Sequence, residues 1–547
     1  MKKILLTSAA VLCCAFNMTV LTSCSVEDNP VNPTPAPQEL ADATIIWYGT
    51  GGGNVDPYIL DDFRSIYRAQ AANFERVNVV AQYKASLHPK VYKEHPYEEV
   101  VDWAEEMTAN CSHEELEMAD VVNYFYLCHP IAGASYRFAI NPQKTLREQL
   151  LETQPYGEMN ADFTCPDSLT NYINWAAQNY PAKKYILMLA DHGGGFLPHH
   201  DTALPAQTRG LIFDDGYDKK CFSAKSFASA VRNASVRPDG IVTYLCLMNN
   251  MEFLYEVKDV TDYIAASTYV MWSGGASFGT LVDNLAEGKD TRTSLSNFVD
   301  ACIDRWDEQY IDPENPDFPW YFDFTLTETS RLNDLAPVLR EVTDRLVDTY
   351  QNGTPEQRAA IDECTANAVK VDNNYPFYDL AKYMESLFYM LPEVFDEDLY
   401  DRFATTFNAC LAHQRYSKYL ENHNYQVDYS MILAVGGNYV VYDYKQEDGQ
   451  DPVLMGADVY YTDGTLKTFK YMGTADDSSD GSLEDYQLDR VSTWPGTFEG
   501  IYQQSTFDRL VGWSRWLLIN QTPPPAWSPS SFFYRLPDDD MSDNPNV

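Results

Sequence analysis

Asp239-Gly-Ile-Val-Thr-Tyr-Leu-Cys-Leu-Met-Asn-Asn-Met-Glu-Phe-Leu-Tyr-Glu-Val257 is the stretch on which the reading of the fold turns. Ile241 to Leu247 is an apolar, β-branched run, short enough for a buried parallel strand. Met248, Met251, Leu254 and Tyr255 then recur at helical spacing, so the strand runs into a helix. Cys246 therefore falls near the carboxyl end of a strand, where open α/β sheets place ligands and reactive groups. Lys184-Tyr-Ile-Leu-Met-Leu-Ala-Asp-His-Gly-Gly-Gly-Phe196 has the same form: a buried-strand signature that ends on His192 and three glycines. A thiol and an imidazole at the ends of two strands are the parts of a Cys/His nucleophile pair. The competing reading makes Cys246 a small core residue and His192 a turn residue, because buried unreactive cysteine is common.

Working outward from this pair, the pattern alternates strand and helix. Ala43 to Tyr48 is the first strand, followed by Gly49-Thr-Gly-Gly-Gly-Asn54 and a helix over Leu60 to Glu75. The glycines lack the Lys-Ser/Thr of a P-loop and the spacing of a dinucleotide fingerprint, so they are read as a turn. Val77 to Tyr83 is the second strand, His88 to Pro166 a helical or irregular insertion, and Asp167 to Tyr180 the helix leading into Lys184. His199 and His200 lie in an extended loop where adjacent imidazoles point apart, so they are not read as metal ligands. A strand follows at Gly210 to Phe213. The amphipathic Ser223 to Ala234 supplies the crossover that a parallel order requires, and Asp262 to Val270 is a further strand. The sum is an α/β fold: a doubly wound, mostly parallel sheet flanked by helices.

Beyond Leu281 the pattern turns helical, with Leu332, Leu335, Leu339, Val342 and Leu346 on one stripe and further helices over Tyr378 to Leu391 and Leu399 to Leu420. From Tyr425 it becomes β-rich: Met431 to Val435, Tyr439 to Tyr444, and Val459 to Tyr461 joined to Leu466 to Tyr471 across Asp463-Gly464, a hairpin signal. The expected organisation is a core over 43–290, a helical middle region over 291–424, a β-rich part over 425–522 and a tail over 523–547. The acidic stretch Asp476 to Asp489 does not follow the ligand order of an EF-hand and is read as a solvated loop.

At the other end, Lys2 and Lys3 precede an apolar stretch of about a dozen residues, the form of a secretion signal over 1–23 and too short to span a bilayer. Leu21-Thr22-Ser23-Cys24 has the form of a lipobox, so Cys24 is the expected lipidation site, and 24–42 is a Pro-rich tether. The formal charge of −41 is spread along the chain and repels phosphate backbones, which argues against nucleic acid as a partner. The 14% aromatic content argues against disorder. Of 11 cysteines, Cys13, Cys14 and Cys24 belong to the signal and anchor, and the other eight show no CxxC or metal spacing. A dense disulfide scaffold is not expected.

His-Gly after one strand, Cys-Leu-Met after the next, and a helix carrying Glu252 and Glu256 resemble the clostripain (C11) cysteine peptidases of the caspase-like clan. The resemblance takes in Asp214-Asp215, the Phe222 to Val231 helix, Ala265-Ala-Ser267 and the Phe507 to Leu517 segment, from about Ala43 to Asn520. It implies a caspase-like sheet and peptide-bond hydrolysis, with Cys246 as nucleophile, His192 as general acid/base, and the amides of Gly193 and Cys246 as oxyanion donors. Such enzymes commonly carry Asp two residues before the nucleophile, selecting Arg or Lys at the acyl side of the cut. Here that position is Tyr244, so the expected pocket is apolar, aromatic or small-residue, shaped by Tyr244 and the Ser267 to Ser277 segment. Some members use calcium, the single ion the resemblance brings in; no acidic spacing here specifies its site. The expected setting is the cell envelope, lipid-anchored to the outer membrane and facing protein or peptide substrates.

Two other functions compete. His192-Gly-Gly-Gly195 also spells the oxyanion loop of lipase-like esterases, and Gly275-Ala-Ser-Phe-Gly279 a GxSxG elbow, with Ser277 as nucleophile and His413 or His423 as base. An elbow needs a strand ending at its serine, and Ser273-Gly274-Gly275 interrupts that approach. The third function is a degenerate surface lipoprotein that binds peptide or glycan without cleaving it.

Overall fold

The computed structural model describes residues 40–53, 55–87, 128, 130–195, 210–216, 220–269, 271, 276–310, 322–369, 377–418, 431–434, 439–445, 453–460, 465–471, 486–493 and 502–520. Cys24, His199, His200, His423, the Asp463-Gly464 turn and most of the acidic stretch lie outside the described residues.

Five parallel strands form the middle of an eight-stranded sheet: β1 (Ala43–Thr50), β2 (Val77–Lys84), β4 (Tyr185–Ala190), β7 (Gly240–Tyr244) and β8 (Tyr263–Ala266). Each of β1, β4 and β7 is buried almost without a break, as strands covered on both faces must be. In space the sheet runs β11 (Leu411–Tyr416), β9 (Asp323–Glu328), β8, β7, β4, β1, β2, β3 (Ser135–Ala139). The chain starts in β1, moves outward to β2, then returns to β4 on the opposite side of β1. The order therefore reverses between β1 and β4, the switch point beside which doubly wound sheets open a crevice.

Both edges are antiparallel and were not foreseen from the sequence. β3 (Ser135–Ala139) emerges from the expected insertion and pairs with β2. β9 (Asp323–Glu328) pairs with β8, and β11 (Leu411–Tyr416) pairs with β9, so the sheet draws its last two strands from beyond residue 290. The helix expected to reach Leu420 stops at Cys410, and β11 follows it directly. The strand expected at 210–213 forms as β5 (Leu211–Asp214), but it pairs with β6 (Lys220–Phe222) in a separate hairpin.

Alternation along the strands feeds two cores. Ile46, Tyr48, Leu187, Leu189 and Ile241 face one side. There α3 (Pro166–Asn179), α4 (Ala224–Arg232), α5 (Met251–Val257) and the long α8 (Leu332–Asn352) supply the facing residues. Ile45, Trp47, Ile186, Met188, Val242 and Tyr244 face the other side, against α1 (Asp56–Ile66), α2 (Leu146–Glu152), α6 (Phe278–Ala286) and α7 (Thr291–Tyr310). The expected stripe on α8 is buried throughout. Further along are β10 (Phe377–Asp379), paired with β12 (Ile432–Ala434), α10 (Leu380–Met390) and α11 (Glu397–Cys410); α9 (Pro355–Ala366) precedes them. A four-stranded antiparallel sheet, β13 (Tyr439–Lys445) to β16 (Tyr486–Thr493), makes the C-terminal part β-rich; Tyr486 to Asp489, expected in a loop, are strand. The chain then returns to the sheet through α12 (Thr506–Val511) and α13 (Ser514–Ile519).

Candidate functional site

β4 and β7 are parallel neighbours, and their register sets Ala190 level with Tyr244. Two residues past these strand ends stand His192 and Cys246, so both leave the same end of the sheet from adjacent strands. Gly193 shows how closely the two exit loops approach. A methyl group added there would lie 2.8 Å from the Cys246 amide nitrogen and 2.9 Å from the Leu245 Cβ. Only a residue without a side chain lets the two loops meet this closely.

His192 is held through its neighbour. The Asp191 carboxylate accepts the His192 amide (2.6 Å), the Phe213 amide (2.6 Å) and the Thr50 hydroxyl (2.8 Å), tying the exit of β4 to β1 and β5. Burial raises the Asp191 carboxyl well above the usual carboxylate range, against these hydrogen bonds. The imidazole stands edge-on to Phe213, ring centres 6.1 Å apart, with the glycine turn after β1 on its flank. A Cβ at Gly52, whose φ is +55°, would come within 2.7 Å of the imidazole Cδ2. That turn, which the sequence presented as a connection, is a wall of the site. The half-buried imidazole has its pKa lowered to about 4 by desolvation, so it is neutral at neutral pH.

Cys246 is half-buried. Its sulfur accepts the Met271 amide at 3.3 Å, and its S–H donates to the Met271 carbonyl at 3.8 Å. An amide aimed at sulfur favours the thiolate. Leu247, next in the chain, has φ +61°, a conformation that costs a branched residue of this size energy and is kept where surroundings enforce it. Two bonds to the exit loop of β8 do so: Leu247 donates to the Tyr269 carbonyl and Asn249 to the Ser267 carbonyl, both at 2.9 Å. Asn250 then caps α5 by accepting the Phe253 amide at 2.8 Å.

The remaining expected residues are placed less uniformly. Tyr244 is 5% exposed, its ring stacked on Trp306 (6.1 Å) and edge-on to Phe278 (5.6 Å). Ser267 is fully buried; its hydroxyl reaches the Asp323 carboxylate at 2.9 Å. Gly195, with φ +86°, packs against the Phe377 ring. Ser277 immediately precedes α6, eleven residues past the end of β8, and its hydroxyl pairs with Thr280 at 3.0 Å. No described strand runs into it. His413 lies on β11 at the far edge of the sheet, bound to Asp300 at 2.7 Å. The structure thus sets Gly193, the neighbour of His192, against Cys246, while His413 and Ser277 bond to Asp300 and Thr280 and not to each other. Sequence reasoning missed Asp191, Gly52, Met271 and Asp323. Of these only Asp191 left a trace, as a carboxylate placed where an apolar strand ends.

Over residues 47–494 the sequence matches the clostripain family. The chain belongs to that family. Clostripain of Hathewaya histolytica is 25% identical over 154 residues, 26% of this chain and 29% of that protein, so the chain spans under a third of the length of this curated relative. Among solved structures, a secreted C11 cysteine protease from Bacteroides thetaiotaomicron is 16% identical with a TM-score of 0.47, covering 70% of this chain and 88% of that one. A secreted C11 protease from the same organism, in complex with an irreversible peptide inhibitor, is 12% identical with a TM-score of 0.49, covering 86% and 99%. An inactive zymogen C11 protease from Parabacteroides distasonis gives 12% identity, a TM-score of 0.48, and coverage of 87% and 99%.

In this clostripain-family chain, none of the seven cysteines among the described residues, Cys246 included, is in a disulfide. Among the described residues no group of three or more His, Cys, Asp or Glu side chains could hold a metal ion. No described helix is long and apolar enough to cross a membrane.

Proposed function

We propose that the chain is a secreted, lipid-anchored cysteine endopeptidase that cleaves through a His192–Cys246 dyad. Membership of the clostripain family supports the chemistry. The observation that supports the residue assignment is the register of β4 on β7, from whose adjacent ends His192 and Cys246 both leave the sheet, one strand from the switch point.

With the imidazole neutral at rest, His192 takes the thiol proton as Cys246 attacks the scissile carbonyl, and returns it to the leaving amine. Water then hydrolyses the thioester along the same route in reverse. The amides of Gly193 and Cys246 receive the negative oxygen of each tetrahedral intermediate; one such donor is worth about 2.7–4 kcal/mol. The Met271 amide at the sulfur steadies the departing thiolate.

At the acyl side, Tyr244 fills with a buried ring the position from which a carboxylate would select Arg or Lys. Small or apolar residues fit such a site. Anchoring through Cys24 would keep the enzyme at the outer membrane, with extracellular or periplasmic protein as substrate. Profiling with a diverse peptide library under reducing conditions, using the chain from Ser25 beside Cys246→Ala and Ser277→Ala, tests all of this. Cleavage abolished by Cys246→Ala alone supports the dyad; exclusive cutting after Arg or Lys refutes the pocket. Failure of every form to cleave, after limited proteolysis to release any zymogen, favours the binding protein.

A further inference from the structure

Asp323 opens β9 at the edge of the sheet where β8 ends, the same edge that carries Cys246. Its carboxylate is fully buried and well served with donors. The Thr268 amide donates to both oxygens at 3.0 Å, the Tyr269 amide to one at 3.1 Å, and the Ser267 hydroxyl to the same one at 2.9 Å. All three donors belong to the loop leaving β8, more than fifty residues from Asp323 in the chain. That loop grips the nucleophile from two directions. Its carbonyls at Ser267 and Tyr269 accept the Asn249 and Leu247 amides, holding the chain just after Cys246 in its strained turn. Two residues past Tyr269, the Met271 amide meets the sulfur.

We infer that Asp323 is a positioning residue for the thiol: through Ser267, Thr268 and Tyr269 it fixes the loop that aims the Met271 amide at the Cys246 sulfur. Ser267, expected in a specificity pocket, belongs to this brace. The inference rests on Cys246 being the nucleophile. A carboxylate suits the task because one oxygen can take several donors at once, whereas an amide turns half of its polar surface into further donors against the same N–H groups. Weakening the brace lets the loop drift, and the sulfur loses the hydrogen bond that favours its anion.

The test is the alkylation of Cys246 by iodoacetamide in the full soluble chain, located by mass spectrometry of its peptide and followed against pH, together with peptidase kinetics. In Asp323→Asn the apparent thiol pKa should rise and alkylation at neutral pH should slow about fivefold or more. kcat should fall about tenfold or more, and by a larger factor than KM changes, because the brace bears first on the sulfur. A folded Asp323→Asn whose alkylation rate, thiol pKa and kcat match the parent overturns the inference. Should that variant not fold, Ser267→Ala removes one arm of the brace and should shift the same quantities by about threefold; no shift there overturns it equally. Alkylation reads the sulfur without using peptide cleavage, so cleavage that survives Cys246→Ala refutes Cys246 as the nucleophile separately.

Discussion

Gly193 and Cys246 meet backbone to backbone: a side chain at Gly193 would stand 2.8 Å from the Cys246 amide nitrogen and closer still to its carbonyl. The two loops belong to adjacent parallel strands, so this approach fixes the spacing between imidazole, thiol and the two proposed oxyanion donors. Gly193→Ala must push the loops apart. The expected result is a loss of about 10²–10³ in kcat, the scale of one oxyanion donor, with Cys246 still alkylated. Single-turnover kinetics on an ester and an amide substrate would check it. Retention of full activity would remove Gly193 from the oxyanion site.

His192 gives a stability signature separate from catalysis. Its folded pKa of about 4 lies below the value of about 6.5 expected when unfolded. Between those values the unfolded chain binds more protons, so this group adds stability as pH rises and withdraws it as pH falls from about 6.5 towards about 4. Asp56 and Asp323, both raised to about 6 by burial, act in the opposite sense. They are present in parent and variant alike and cancel in a difference. Urea unfolding of the parent and His192→Gln at several pH values should show the parent losing about 2 kcal/mol more across that window, discounted for the partial exposure of the ring. Parallel pH curves would show that the imidazole is not desolvated.

The helix that follows Cys246 is held from the far end of the chain. Tyr502 donates its hydroxyl to the buried Glu252 carboxylate at 2.7 Å, and Glu256 accepts the Thr506 amide at 2.6 Å and hydroxyl at 3.0 Å. Tyr502→Phe removes a donor from a buried charge, which costs about 1–3 kcal/mol. The melting temperature should fall, and truncation before Tyr502 should leave α5 without both anchors and abolish activity. An unchanged melting temperature in Tyr502→Phe would mean that the C-terminal segment merely rests on the catalytic helix.

β1, β4 and β7 were legible because a strand buried on both faces must be written as an unbroken apolar run, and the reactive residues were legible because they interrupt such runs at their ends. β11 was not. Leu411-Ala-His-Gln-Arg-Tyr416 is half-buried throughout and mixes polar with apolar residues, and its local pattern continues that of the helix before it. Only pairing with Asp323–Glu328, far away in sequence, makes it a strand. The same distance hid Asp323. Its partners lie 54 to 56 residues earlier, and an isolated Asp before an apolar run reads as any surface carboxylate. Tyr244 was legible as a departure from the family's Asp, but the ring that receives it, Trp306, was not.

Tyr244 therefore offers a test in which specificity and stability move in opposite directions. Its ring fills the space between Phe278 and Trp306, so Tyr244→Ala should cost about 3–5 kcal/mol and leave cleavage after basic residues rare. Tyr244→Asp should cost at least as much, since it leaves the same void beside a carboxylate. Where it folds, that carboxylate stands two residues before the nucleophile, and the ratio of kcat/KM for Arg or Lys substrates over Leu or Ala substrates should rise about tenfold or more. Comparing the two variants separates charge from cavity. If both lose stability and neither changes the ratio, the side chain at position 244 supports the core alone, and specificity is set by another part of the β8 exit.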